Sequence, residues 1–323
     1  MGYRVAVLGA GNISTAHLKA AKRLEHLDLV AVADVMEERV NRAAREFGIT
    51  PYLDYKEMID KEKPDIAIIA LPPYMHKEAS VYCSGKGCHL LLEKPMALNV
   101  EECEEIIRAA DDNNVTLMVG HTVHYEAANR LVKQLIDQGS YGELVMINDT
   151  RRSDYFKDRL DWFFNKETSG GGILMNLGSH SIDKIQWYTG SRVAKVKSKI
   201  DFNAPKGDIE GAGVVFLETE SGIPATIVQS GYSSGVPCNV TEFVFTKGMI
   251  QLTWEVWVSE SNEYTKVPVD AGEDPFVLQL IDLTDAMEGR KPVECSGAYA
   301  KSIISVIEGV YESHYSGKEA SVT

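Results

Sequence analysis

Apolar and polar residues alternate along this chain in two different ways, and the change falls near residue 122. Before it, short continuous apolar runs take turns with segments whose apolar residues return every three or four positions. Tyr3 to Leu8, Leu27 to Ala33, Ile66 to Leu71, the run ending at Glu93, and Thr116 to Val119 have strand length. Uninterrupted apolar strands of this kind are those covered on both faces. Between them, Ile13 to Leu24, Glu37 to Phe47 and Met75 to Ser84 have helical periodicity. Asn99 can cap a further helix, with Glu102 at its third position and Val100, Cys103, Ile106, Ile107 and Ala110 on one stripe. Repeated strand–helix units predict an α/β domain with a parallel, doubly wound sheet.

Beyond residue 122 the rhythm changes. A helical segment from Tyr125 to Ile136 precedes a strand from Leu144 to Thr150. Gly170-Gly171-Gly172 leads into a helical stretch near Leu174 to Tyr188. From Val193 to Pro268 the chain is strand-rich, with turns at Ser221-Gly222 and Lys247-Gly248. Helices near Phe276 to Glu288 and Ala298 to Ser313 close it. This pattern predicts an α+β domain on a large, mostly antiparallel open sheet. The expected division is 1–122 and 123–323, and 323 residues suffice for two cores.

Composition narrows the classes. Apolar residues are 44% of the chain, which excludes a disordered one, and the net charge is -14. A nucleic-acid or anionic-membrane partner would need a cationic face, so neither is expected. No apolar run is long enough to span a bilayer. The five cysteines include no C-x-x-C pair, which reads as reduced thiols in a cytoplasmic protein with no metal site. The opening apolar run is short and ends in glycine, so no secretory leader is expected.

The chemistry begins at Gly9-Ala10-Gly11-Asn12-Ile13-Ser14, which joins the first strand to the first helix. Gly9 permits a tight turn, and Gly11 lets backbone N–H groups approach a pyrophosphate at the helix N-terminus. Ser14 stands where the third glycine of this dinucleotide fingerprint is usual. Asp34 closes the second strand; a carboxylate there accepts hydrogen bonds from a ribose 2′-OH and repels a 2′-phosphate, which favours NAD over NADP. Arg39 or Arg42 swinging in is the alternative. The loop Pro72-Pro73-Tyr74-Met75-His76 follows another strand and should border the cofactor, with His76 either touching the ribose or capping the loop. Glu93-Lys94-Pro95 ends an apolar run with charges at its mouth, where a lysine beside a carboxylate suits proton handling.

The glycine motif, Pro-Pro-x-x-His, Glu-Lys-Pro, and Gly-Gly-Gly followed by Asn176-Leu177-Gly178-Ser179-His180 together resemble the Gfo/Idh/MocA oxidoreductases. The resemblance implies a Rossmann domain followed by a substrate-binding and oligomerising domain. It places Lys94 near the nicotinamide and the reacting hydroxyl, with Glu93 positioning it. It makes His180 the base or proton relay, with Asn176 beside it at helical spacing of four. The family usually has Asp at 176 and often Arg at 124; an amide can orient a group but cannot act as a base. Asp183 is a candidate replacement carboxylate. His121 is placed near the nicotinamide, and His124 either contacts substrate or packs. Arg152, Tyr155 and Trp162, with Arg151, Asp154 and Arg159, are expected to line the substrate cleft. The implied activity is NAD-dependent hydride transfer at a hydroxyl of a sugar, cyclic polyol or sugar derivative, by a homodimer or homotetramer. NAD-dependent cleavage of a glycosidic bond and cofactor-binding regulation are the alternatives.

Overall fold

The computed structural model describes residues 2–232 and 236–322. The chain divides into two compact units, Met1–Tyr125 with Glu273–Lys301, and Glu126–Gly272 with Ser302–Thr323.

In the first unit, strands β1 (Tyr3–Leu8), β2 (Leu27–Ala33), β3 (Thr50–Tyr52), β4 (Ile66–Ile69), β5 (His89–Leu92) and β6 (Leu117–Val119) alternate with helices α1 (Asn12–Arg23), α2 (Glu37–Phe47), α3 (Tyr55–Glu62), α4 (His76–Gly85) and α5 (Val100–Asp112). All pair in parallel, in the order β3-β2-β1-β4-β5-β6. The order reverses between β1 and β4, as in a doubly wound sheet, and ligands of such sheets bind at the carboxyl ends beside that reversal. Residues Val5 to Leu8, Ile66 to Ile69 and Leu90 to Leu92 are wholly buried, which is why the sequence carries them as unbroken apolar runs. Two elements were not anticipated. β3 is an exposed Thr-Pro-Tyr edge with no apolar signal, and α3 is short, started by Asp54 accepting from the N–H groups of Lys56 and Glu57.

The second unit holds α6 (Ala127–Gln138), β7 (Leu144–Arg152), the single turn α7 (Lys166–Ser169), α8 (Ser179–Thr189), and strands β8 (Val193–Asp201), β9 (Ala212–Thr219), β10 (Pro224–Ser230), β11 (Cys238–Phe245), β12 (Met249–Leu252), β13 (Val256–Ser259), β14 (Thr265–Val267) and β15 (Ala320–Ser321). The strands form one sheet in the order β14-β13-β12-β11-β7-β10-β9-β8-β15, antiparallel except for β10 beside β7. Period-two burial along β8 and β9 marks an apolar inner face. Ile182 of α8 lines a small apolar cavity there with Val215 and Ile227.

Helix α9 (Pro275–Met287) contributes to the first unit although it follows all of β7–β14 in sequence. Its Phe276 packs edge-on against His17 of α1, and Asp282 accepts from the Tyr125 hydroxyl at 2.7 Å. The single boundary read from the sequence omits this return, because helical periodicity shows an apolar face without naming the surface it covers. The last helix, α10 (Gly297–Ser316), follows it.

The Asn99 cap forms as its residues dictate. Its Oδ1 accepts from Glu102 N–H at 2.8 Å, and the Glu102 carboxylate accepts from Leu98 N–H at 3.2 Å. Asn99→Ala should therefore cost about 1 kcal/mol and Asn99→Gly only a few tenths, read as shifts in the urea midpoint.

Candidate active site

β1 ends in Gly9 at φ +100°, where an added Cβ would sit 2.4 Å from the Ala70 carbonyl oxygen. Only glycine meets both conditions. Gly11 caps α1, and the space around its missing side chain is open to 4 Å. The first turn of α1 has no acidic residue and no side-chain cap, so its positive end is left to a ligand, with Asn12 and Ile13 exposed beside it. Ser14 is fully buried, so a small residue does fit at the third glycine position. Asp34 Oδ2 accepts from Ala10 N–H and Oδ1 from Met36 N–H, both at 2.8 Å. That carboxylate thus holds the glycine loop as well as marking the second strand's mouth. These residues fit a nicotinamide dinucleotide: an uncapped helix start and bare glycine for the pyrophosphate, a carboxylate for the ribose.

The Glu93-Lys94-Pro95 loop leaves β5 with a cis Lys94–Pro95 bond. Glu93 is only 7% exposed, and its Oε1 lies 2.7 Å from Nε2 of His17, which is wholly buried on α1. Glu93 Oε2 accepts from Lys94 N–H at 3.2 Å. Burial pushes the Glu93 carboxyl up, but His17 and the Lys94 charge outweigh it and hold it below the usual carboxylate range. Gly120 passes so close that a Cβ would meet Glu93 Oε1 at 3.2 Å. Lys94 itself is partly exposed. His17 was not anticipated. The available signal was a histidine on the buried stripe of α1, beside Leu18, Ala20 and Ala21, in a fold that brings that helix over β5.

Pro72 opens a single 3-10 turn, its carbonyl accepting from Met75 N–H at 2.9 Å. His76 is not open to a ribose. It is 1% exposed, with Nε2 2.8 Å from the Leu71 carbonyl and Nδ1 3.0 Å from that of Pro95. Burial lowers its pKa against the pull of those carbonyls. His76 therefore braces the two loops together. His121 and His124 are both buried and both meet the Tyr299 ring edge-on, with ring centroids at 6.2 and 5.5 Å. His124 Nδ1 is also 3.3 Å from Glu294 Oε1, which gives that residue a packing role.

In the second unit a π-helical stretch, Leu174–Gly178, runs into α8. Asn176 lies within it and His180 just after, both partly exposed. The wider π turn means that their spacing of four does not align them as it would on an α-helix. The preceding glycines admit protein at close range. A Cβ on Gly172 would fall 2.1 Å from the Glu210 carbonyl oxygen, and one on Gly171 2.0 Å from the Tyr311 hydroxyl. The buried Glu210 carboxylate accepts from the N–H groups of Gly172, Leu174 and Met175 at 2.8, 2.9 and 3.4 Å, capping the stretch. No local pattern in the sequence announced Glu210.

Tyr155 is 0% exposed, so it stands behind the site and meets a ligand only through its neighbours. Asn176 Nδ2 donates to its hydroxyl at 3.3 Å, and the Arg159 guanidinium lies 4.3 Å from its ring centroid. Burial pushes the phenol up to about 12. Trp162 stacks on Phe163 at 3.7 Å, and the exposed Arg152 donates to the Val236 carbonyl at 3.2 Å. Asp183 is fully buried.

The model of the oxidoreductase family with an NAD-binding Rossmann fold matches residues 3–121, and that of the GFO/IDH/MocA C-terminal domain matches residues 129–251. The first unit is thus an NAD-binding Rossmann domain. The chain belongs to the Gfo/Idh/MocA oxidoreductase family. It is 27% identical over 197 residues to 2,7-anhydro-N-acetylneuraminate hydratase of Mediterraneibacter gnavus, covering 61% of this chain and 51% of the relative. It is 31% identical over 191 residues to glucose-6-phosphate 3-dehydrogenase of Bacillus subtilis, covering 57% and 53%. The chain spans about half the length of these curated relatives. Levoglucosan dehydrogenase, solved with NADH, shares the fold at TM-score 0.91 and 21% identity, with 100% of each chain covered.

Glu93→Gln should destabilise the first unit by about 1.5–3 kcal/mol at neutral pH, since it removes a charged partner from a buried hydrogen bond. The folded-state pKa of Glu93 lies below its ordinary value, so its contribution is complete above that value and is lost as the pH falls through the folded one. The stability gap between wild type and variant should therefore close on acidification, as followed by urea unfolding across the acid range. A gap that stays constant would show that the carboxylate's charge is not what stabilises.

Proposed function

We propose that this protein is an NAD-dependent dehydrogenase acting on a hydroxyl of a sugar, cyclic polyol or sugar derivative. The observation that carries this is Lys94, partly open at the end of β5 and backed by the buried Glu93–His17 pair. The names of the relatives, which concern a phosphorylated sugar and an anhydrosugar, support the substrate class. Gly9, Gly11, Asn12, Ile13, Asp34, Pro72 and His121 belong to the cofactor side in this reading, with Glu93 and His76 holding the loops that border it. NAD is favoured over NADP because Asp34 presents a carboxylate where a 2′-phosphate would bring further negative charge.

When bound, the nicotinamide accepts or donates the hydride. The chain's own residues handle the proton. In oxidation, the substrate O–H proton passes to His180, an imidazole being the side chain suited to take and return a proton near neutrality. The Lys94 ammonium steadies the developing alkoxide. Asn176, oriented by Tyr155, hydrogen-bonds substrate without competing for the proton, and Arg152 and Trp162 supply polar and aromatic contacts at the rim. Reduction of a carbonyl follows the same steps in reverse.

A second reading, opening of an anhydrosugar without net NADH, is favoured by the relative named a hydratase. No helix among the described residues is long and apolar enough to cross a membrane, and a cytoplasmic location accords with the cysteine usage. A second copy of the chain is the proposed cover for the outer face of the large sheet. There Val214 and Val228 are paired across β9 and β10 and lie exposed beside Phe216.

The pure protein with NAD should form NADH from at least one member of a panel of inositols, aldoses, sugar acids and anhydrosugars, and more slowly with NADP. Lys94→Met should lower kcat by about 10²–10⁴ while NADH still binds, as followed by its fluorescence. Sugar release with no NADH accumulation would favour the second reading, and full turnover by Lys94→Met would remove the first. Asp34→Ala should raise the NADP-to-NAD ratio of kcat/KM; an unchanged ratio would mean that another residue selects the cofactor.

A further inference from the structure

Helix α8 is almost entirely enclosed, yet much of what it buries is polar. Along Ser179–Thr189 only His180, Trp187 and Thr189 are not buried, so His180 is the one open side chain of the first two turns. The residues around it reach into the sheet. Lys184 Nζ donates to Asp149 Oδ2 of β7 at 2.5 Å and to Thr241 Oγ1 of β11 at 2.7 Å. Ser181 Oγ donates to Asp149 Oδ1 at 2.5 Å, and Gln229 Nε2 of β10 donates to Ser181 Oγ at 2.9 Å. Thr241 Oγ1 is 2.7 Å from the same carboxylate. Asp149, Ser181, Gln229 and Thr241 are each 1% exposed. Three adjacent strands are thereby tied to one helix through a buried ion pair.

Stability alone does not account for this arrangement. A buried ion pair is often matched or bettered by apolar residues of similar volume, because removing both charges from water is costly. What it adds is direction. Ile182 and Ile185 are buried, but apolar packing of this kind tolerates small rotations of the helix. Hydrogen bonds at 2.5–2.9 Å from two positions of α8 do not. The ends of this segment are fixed separately, by Glu210 beneath the π stretch and by Tyr188 donating to Asn129 Oδ1 at 2.6 Å. The middle is where the angle of His180 is decided, and Lys184 lies one helical turn beyond it.

We propose that Asp149 and Lys184, with Ser181, Thr241 and Gln229, are positioning residues that set the rotation of α8 and so aim His180. The inference rests on the catalytic reading of His180 given above.

The test is the double variant Asp149→Leu with Lys184→Met, which removes both charges together, compared with wild type and His180→Ala under the conditions in which turnover is found. The double variant should melt no lower than wild type and bind NADH unchanged, while kcat falls tenfold or more. A primary deuterium isotope effect on kcat should rise as hydride transfer becomes limiting. Lys184→Arg with Asp149 intact should recover part of kcat. Wild-type kcat in a folded double variant, with His180→Ala inactive, would overturn the positioning role alone. Full turnover by His180→Ala would overturn the catalytic reading and this inference with it. Should the double variant not fold, Thr241→Val decides the matter. A several-fold fall in kcat at unchanged melting temperature supports the proposal, and an unchanged kcat overturns it.

Discussion

The first unit depends on the contact between the buried Glu93 carboxylate and His17. A carboxylate this enclosed costs several kcal/mol to desolvate unless a partner holds it. The partner comes from the helix that starts at the glycine loop, so strand β5 and helix α1 cannot shift independently. Asp34 acts from the other side, accepting from Ala10 within that loop. The glycine turn and the helix that follows it are therefore held by two carboxylates that lie just beyond two different strands. Lys94 follows Glu93 directly, and its backbone N–H belongs to the same hydrogen-bond set. The glycine loop and the loop carrying the lysine are thus held together, as the proposed proton handling at a fixed hydride position requires.

The second unit solves a related problem with other groups. Its helix start is capped by Glu210 from a distant loop, and the glycine run exists because Glu210 and Tyr311 come too close for any Cβ. In both units glycine marks a close approach. In the first the open volume lies over Gly11, where a ligand can enter; in the second the volume is already filled by the protein.

This difference explains what the sequence disclosed. Strands β1, β2, β4, β5 and β6 were legible because burial on both faces leaves an unbroken apolar run, and the Asn99 cap because its chemistry is local. The glycine motif was legible because turn, helix start and Asp34 lie within one strand–helix–strand unit. The role of Gly170-Gly171-Gly172 was not, since Glu210 lies far along the chain. His76 was legible as a loop residue, but not as one whose two nitrogens face the Leu71 and Pro95 carbonyls, because those contacts join loops from different strands. Tyr155 carries the composition of a sugar-binding wall, yet tertiary packing encloses it. The π stretch shows the limit of periodicity itself: a spacing of four places two side chains on one face only while the backbone keeps its α hydrogen bonds.

The amide at 176 changes where charge resides. A carboxylate at this position would accept from the Tyr155 hydroxyl; the amide donates to it instead. The partly open polar residues of this segment, Asn176 and His180, thus include no anion of their own, and Asp183 is sealed beneath the helix. In the proposed chemistry, a proton arriving at His180 therefore gains no charge stabilisation from residue 176. Lys184, one turn along α8 from His180, is bound to Asp149, so their fields partly cancel at the helix surface. Within the proposed chemistry, the charge that steadies a developing alkoxide is that of the Lys94 ammonium. Its carboxylate neighbour, Glu93, is turned inward to His17, so the lysine is the charged group of this loop that is left partly exposed.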